Sequence, residues 1–95
     1  EQDIVFNPKS ELSYLYLAKI FKEKKNDELE EQNLNVVILL NPINEEALYL
    51  LTLLSIKKSD YSESDKLIKK FEKVCQKICD KKSELLNKLK SLEIN

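Results

Sequence analysis

The chain has 95 residues, 42% apolar and 35% charged, with a net charge of −1. That length makes one small domain with a marginal core, since such a chain buries only about 60–65% of its unfolded surface. Glycine, histidine and arginine are absent, which excludes a glycine-built phosphate loop, an imidazole base or ligand, and the guanidinium fork that grips phosphate or guanine.

The apolar run IVFNP (Ile4–Pro8) closes in Asn-Pro, and so does ILLNP (Ile38–Pro42), an interval of 34 residues between the only two prolines. Proline follows one helix or begins the next without harm, because its missing N–H is not needed there. A first helix is expected over about 10–24, with Ser10 ahead of it. A polar break, Lys24-Lys25-Asn26-Asp27, leads to a second over 27–40. Asn26 or Asp27 can cap it, and Asp27 with Glu30 has capping-box spacing. A third is expected over 44–57, capped by Asn44, with Glu45 and Glu46 suited to its positive end. After Lys57-Lys58-Ser59-Asp60 the pattern resumes over 61–78, with Asp60 and Glu63 spaced as a second box. A fifth helix is expected over 81–93. No alternating run bounded by turn residues suggests a strand.

The fourth helix carries one apolar stripe, Leu67, Ile68, Phe71, Val74, Cys75 and Ile78, whereas the third is apolar nearly all round. A helix apolar on two faces is buried twice or awaits a partner. Phe71, Ile78, Leu85 and Leu92 lie seven apart, so 62–93 also reads as one long helix or a short coiled-coil seam. Cys75 and Cys79 fall on adjacent turns of the expected helix, where a disulfide would be strained, so both read as small, partly buried thiols. Two cysteines without histidine make a poor zinc site. Residues 1–56 hold five Lys against ten acids, and residues 57–95 eleven Lys against seven. The basic C-terminal part reads as a solvated helix face.

Helix, turn, helix and Asn-Pro at a 34-residue interval resembles the tetratricopeptide repeat. The better unit is Asn44–Lys73. Leu48, Leu51 and Thr52 stand at the large, Leu and small positions of the first helix. Ser59, Asp60 and Tyr61 form the turn, and Ser64 and Ile68 take the small and large positions of the second helix. Ser59 replaces the family's Gly, and Phe71 its Ala. The other unit matches in Tyr14, Leu17, Ala18 and Phe21, then at Leu34, Val37, Leu40 and Pro42; Asp27 and Glu30 stand where the family has Tyr and Ala. The resemblance implies an all-α fold of about five helices, antiparallel hairpins stacked as a short right-handed solenoid. Residues 8–41 would be a degenerate first repeat, 42–76 a second, and 77–95 a capping helix, in a chain that reads as a piece of a longer protein. It also implies close helix packing through Tyr14, Leu17, Ala18, Leu48, Leu51, Thr52, Tyr61, Ser64 and Ile68, and a concave face bearing Leu12, Tyr16, Lys19, Tyr49, Leu50, Leu53 and Ile56. Such a face suits an amphipathic helix or extended apolar peptide; alternatively, neighbouring helices of the chain, or the C-terminal helix folding back, cover it. The clamp that some family members use for acidic chaperone tails is not expected, since Lys19 and Leu50 stand where it needs Asn.

Catalysis is not expected. Asp60, Ser62 and Ser64 start like a calcium loop, but Asp65 and Phe71 stand where that loop needs Gly and Glu. The pairs Glu30-Glu31 and Glu45-Glu46 sit at helix starts, where dipole and solvent explain them. No metal, cofactor or nucleic acid is expected. No apolar run nears the roughly 18 residues of a membrane span, and the absence of a visible leader slightly favours the cytoplasm. The functional expectation is a non-enzymatic protein-interaction module, a scaffold or assembly factor. The alternative is a structural helical domain that self-associates through Tyr49, Leu50 and Leu53.

Overall fold

The structure, a computed structural model, describes residues 8–94, with side chains from 10 to 92. The repeat resemblance also implies that Ile4, Val5 and Phe6 are the tail of a preceding helix; these three lie outside the described residues. Five helices follow in order: α1 (Pro8–Glu23), α2 (Asp27–Leu40), α3 (Glu45–Lys57), α4 (Tyr61–Val74) and α5 (Lys81–Ile94). No strand occurs among the described residues. The chain divides after Pro42 into two compact units, one holding α1 and α2, the other α3 to α5.

In the first unit α1 and α2 pair as a hairpin. Leu15, Ala18, Leu34 and Val37 are buried, and Ala18 leaves room for the helices to approach. Helix α1 starts earlier than expected: Ser10 lies inside it and Pro8 opens it, a position where proline's fixed φ suits the helix. Asn26, not Asp27, caps α2; its Oδ1 accepts from the N–H of Leu29 at 3.1 Å. Asn41 ends α2, and its Nδ2 donates to Glu11 Oε2 at 2.8 Å, tying the end of the hairpin to its start.

In the second unit α3 and α4 pair in the same way, and α5 folds back onto both. Leu48, Leu51, Leu54, Leu67, Ile68, Phe71, Leu85 and Leu89 are buried. Asn44 caps α3, accepting from Ala47 N–H at 2.8 Å. Asp60 caps α4, accepting from Glu63 N–H at 3.1 Å. Three buried hydroxyls lie along the α3–α4 seam. Thr52 donates to the Leu48 carbonyl at 2.7 Å. Ser55 and Ser64 bridge the two helices, Oγ to Oγ, at 2.7 Å, with either able to donate. Both also reach a carbonyl of their own helix, Ser55 to Thr52 and Ser64 to Asp60, so no polar atom of the pair is stranded.

The two hairpins agree internally at the 34-residue interval. Their paired helices end at Glu23 and Lys57, resume at Asp27 and Tyr61, and end again at Leu40 and Val74. The caps Asn26 and Asp60 correspond. So do Lys25 and Ser59, each at φ 60° in the left-handed region. Equivalent buried pairs are Ala18 and Thr52, Glu30 and Ser64, Leu34 and Ile68, and Val37 and Phe71. Glu11 and Glu45 also correspond, and each reaches the far end of its own hairpin.

The fourth helix stops at Val74, four residues short of expectation, because Cys75 takes extended backbone angles (φ −65°, ψ 146°) and is disulfide-bonded to Cys79. Reading these cysteines as thiols on adjacent helical turns is thus corrected. The helix ends before them, and outside a helix their Cα atoms stand 5.3 Å apart, within bonding range. The break also decides the 62–93 question in favour of two helices. The Glu45 carboxylate accepts three successive N–H groups inside the loop: Gln76 at 2.7 Å, Lys77 at 3.0 Å and Ile78 at 3.2 Å.

Burial pushes the Glu45 carboxyl upward, but the three N–H donors, aided by the Lys77 charge, hold it below its ordinary 4.5. A depressed acid stabilises the fold above its unfolded value and loses that contribution as pH falls through the folded one. Glu45→Ala should cost about 1–2 kcal/mol at neutral pH, the low end for charged hydrogen bonds because the site is half open to water. In urea denaturation the gap from the parent should begin to close as the pH drops below the ordinary 4.5 and be gone once it has passed the lower folded value.

Candidate protein-binding surface

Helix α1 places Leu12, Tyr16 and Lys19 on one stripe, since residues four and three apart share a helix face. Leu12 and Tyr16 are 65% and 67% exposed, and Lys19 is exposed beside them. Turning a leucine and a tyrosine to water in adjacent turns forgoes about 1.5–3 kcal/mol of burial for each. An uncovered apolar pair of this kind is what a partner's side chains would exploit.

Helix α3 presents a different picture. Leu50 is only 7% exposed, so its assignment to an open face is revised: it belongs to the interior. Tyr16 and Leu50 hold the same register position in their hairpins, yet one is open and the other closed. Tyr49, Leu53 and Ile56 are half-buried. Tyr49 is engaged by α5: its hydroxyl donates to Glu84 Oε1 at 3.0 Å, and Lys81 Nζ stands 5.8 Å from its ring centre. A cation at that distance adds about 0.5–1 kcal/mol at an open site. The return of α5 was one of two readings of this face, and at Tyr49 it holds. Of the three residues named for self-association, Leu50 is thus buried and Tyr49 is engaged by α5, while Leu53 is half-buried.

Burial raises the Tyr49 phenol above its ordinary 10.0, and the hydrogen bond and charge of Glu84 raise it further. The neutral phenol is therefore the form that the docked α5 favours. Its contribution is intact below pH 10 and is lost as pH rises through the folded value. Tyr49→Phe should cost about 1 kcal/mol at neutral pH, and the difference from the parent should vanish at high alkalinity, as tyrosinate absorbance and helical circular dichroism together would report.

The packing residues divide. Ala18, Leu48, Leu51, Thr52, Ser64 and Ile68 are buried, Tyr14 is half-buried, and Leu17 and Tyr61 remain exposed. Tyr61, expected to fill the hairpin turn, instead lines an open cleft of about 530 Å³ between α4 and α5, together with Asp65, Leu86 and Lys90. The Ser55–Ser64 bridge was missed in the sequence. Its only trace was a pair of small hydroxyl residues nine apart across a turn, too common to stand out. Among the described residues no helix is long and apolar enough to cross a membrane. A scan against protein-family models, a search of the curated proteins and a search of the solved structures each found no match.

Proposed function

We propose that this chain is a non-enzymatic protein-interaction module of two tetratricopeptide-like hairpins, stacked as a short right-handed solenoid with α5 as its cap. The observation that supports it most is the agreement of the two hairpins at the 34-residue interval in helix ends, caps, left-handed turn residues and buried small positions. Repeats of that kind serve as scaffolds because their inner helices line up side chains for an extended or helical ligand. On this reading Leu12, Tyr16 and Lys19 contact the partner, and the apolar pair gives the affinity. The partner is a protein segment with a leucine-type apolar edge, recognised as scaffold or assembly factors recognise theirs.

The test is calorimetric titration of the whole chain with an amphipathic, leucine-rich helical peptide. Leu12→Ser and Tyr16→Ser should each weaken binding about tenfold, the equivalent of ~1.4 kcal/mol. Both sites are exposed, so melting should stay within about 0.5 kcal/mol of the parent. Equal affinity in parent and variants would remove α1 from the binding face and end this reading.

A further inference from the structure

The six residues Cys75–Asp80 separate two helices without a proline or glycine to justify the break. Their pattern suits a helix, with Phe71, Val74, Cys75 and Ile78 at three- and four-residue spacings. The disulfide does not permit one. Side chains four apart on a helix have Cβ atoms about 5–6 Å apart, whereas a disulfide requires about 3.5–4.5 Å. Bond and helix therefore exclude each other at this place.

The backbone shows what each alternative would use. In a continuous helix the N–H groups of Gln76, Lys77 and Ile78 would donate to the carbonyls of Glu72, Lys73 and Val74. Here the same three donors go to the Glu45 carboxylate. Three donors thus have two complete sets of acceptors, the condition for a two-state element. Cys79 lies exposed at the surface while Cys75 is half-buried, so one sulfur is open to an incoming thiolate.

We infer that Cys79 is a thiol–disulfide exchange site for a dithiol reductant, and that reduction converts the 75–78 break into a further turn of α4 and releases Glu45. A thiolate of the dithiol attacks Cys79 Sγ, and Cys75 leaves as a thiolate and takes a proton. The reductant's second thiol then closes its own disulfide and frees Cys79. Two electrons and two protons pass to the cysteines, and the reductant departs oxidised. The turn into α5 is built on this loop: Lys81 N–H donates to the Ile78 carbonyl at 2.9 Å and Lys82 N–H to that of Cys79 at 3.0 Å. Rebuilding the loop as helix therefore redirects α5, and the Tyr49–Glu84 hydrogen bond reports it. This inference is independent of the proposed binding function.

The experiment follows backbone chemical shifts and amide exchange of the whole chain by NMR, oxidised and after dithiothreitol, beside a Cys75→Ser/Cys79→Ser chain. Thiol titration should find neither cysteine free before reduction and both after it. In the reduced and double-serine chains Cα shifts at 75–78 should turn helical, the Glu45 carboxyl should titrate at its ordinary value, and α3 and α4 should keep their protection. A thiol count that reduction does not change, non-helical shifts at 75–78 in both reduced forms, or general loss of protection would each overturn the proposal. Glu45→Gln with the disulfide intact serves as the second variant. It should leave 75–78 non-helical, and a helix there would show that Glu45 rather than the bond makes the break.

Discussion

Phe71→Ala should lower the stability of the second unit by about 3–5 kcal/mol, the cost of emptying a large apolar site that cannot fully collapse. Phe71 is the largest fully buried side chain of the molecule's described residues, and it sits on α4, the helix against which α3 and α5 both pack. Small domains hold only about 5–15 kcal/mol in total, so this single change should consume much of the margin. Urea denaturation followed by circular dichroism measures it through the midpoint at unchanged slope. Phe71→Leu, which keeps most of the volume, should lose far less. Equal midpoints for Phe71→Ala and the parent would mean that α4 does not bury this ring.

Leu50→Glu carries the second large effect. A carboxylate at a site 7% exposed must be desolvated without a partner or protonated, and the apolar burial of leucine is lost as well. The sum should reach about 3 kcal/mol or more, with loss of helical signal at moderate temperature. Leu12→Glu adds the same charge on α1 where the parent side chain is already in water, and should shift stability by no more than about 0.5 kcal/mol. The pair of variants distinguishes interior from surface. A folded Leu50→Glu chain with the thermal stability of the parent would return Leu50 to the open face.

Much of the helical framework was legible because it rests on local signals. Asn44 and Asp60 cap helices through their own side chains, a short-range effect that a sequence displays directly. The interval of 34 was legible in two prolines and then reappeared in helix ends and turns. What was not legible depended on contacts distant in sequence. Nothing local around Tyr49 announces that Glu84, 35 residues later, accepts a hydrogen bond from its hydroxyl. Periodicity ran past Val74 without a breaker, and what accompanies the break there is a disulfide and the distant Glu45 carboxylate. Leu50 was misplaced because a helix apolar all round gives no hint of which face is closed. Leu12 and Tyr16, placed on an open face by the resemblance, are indeed exposed, but their spacing alone would suit a core pair as well, and only the tertiary packing leaves them open.

Lys25 and Ser59 close their hairpins with positive φ and no glycine. A side chain in that conformation costs about 1–2 kcal/mol. Glycine would avoid the cost but would leave the unfolded chain freer, forfeiting about 0.4–1 kcal/mol. Glycine at either turn should therefore gain a net of up to about 1 kcal/mol, a modest stabilisation that the chain forgoes. An alphabet lacking its smallest letter can therefore still write tight reversals, and mirror-image residues placed by chemical synthesis at 25 and 59 would settle there more comfortably than any natural choice.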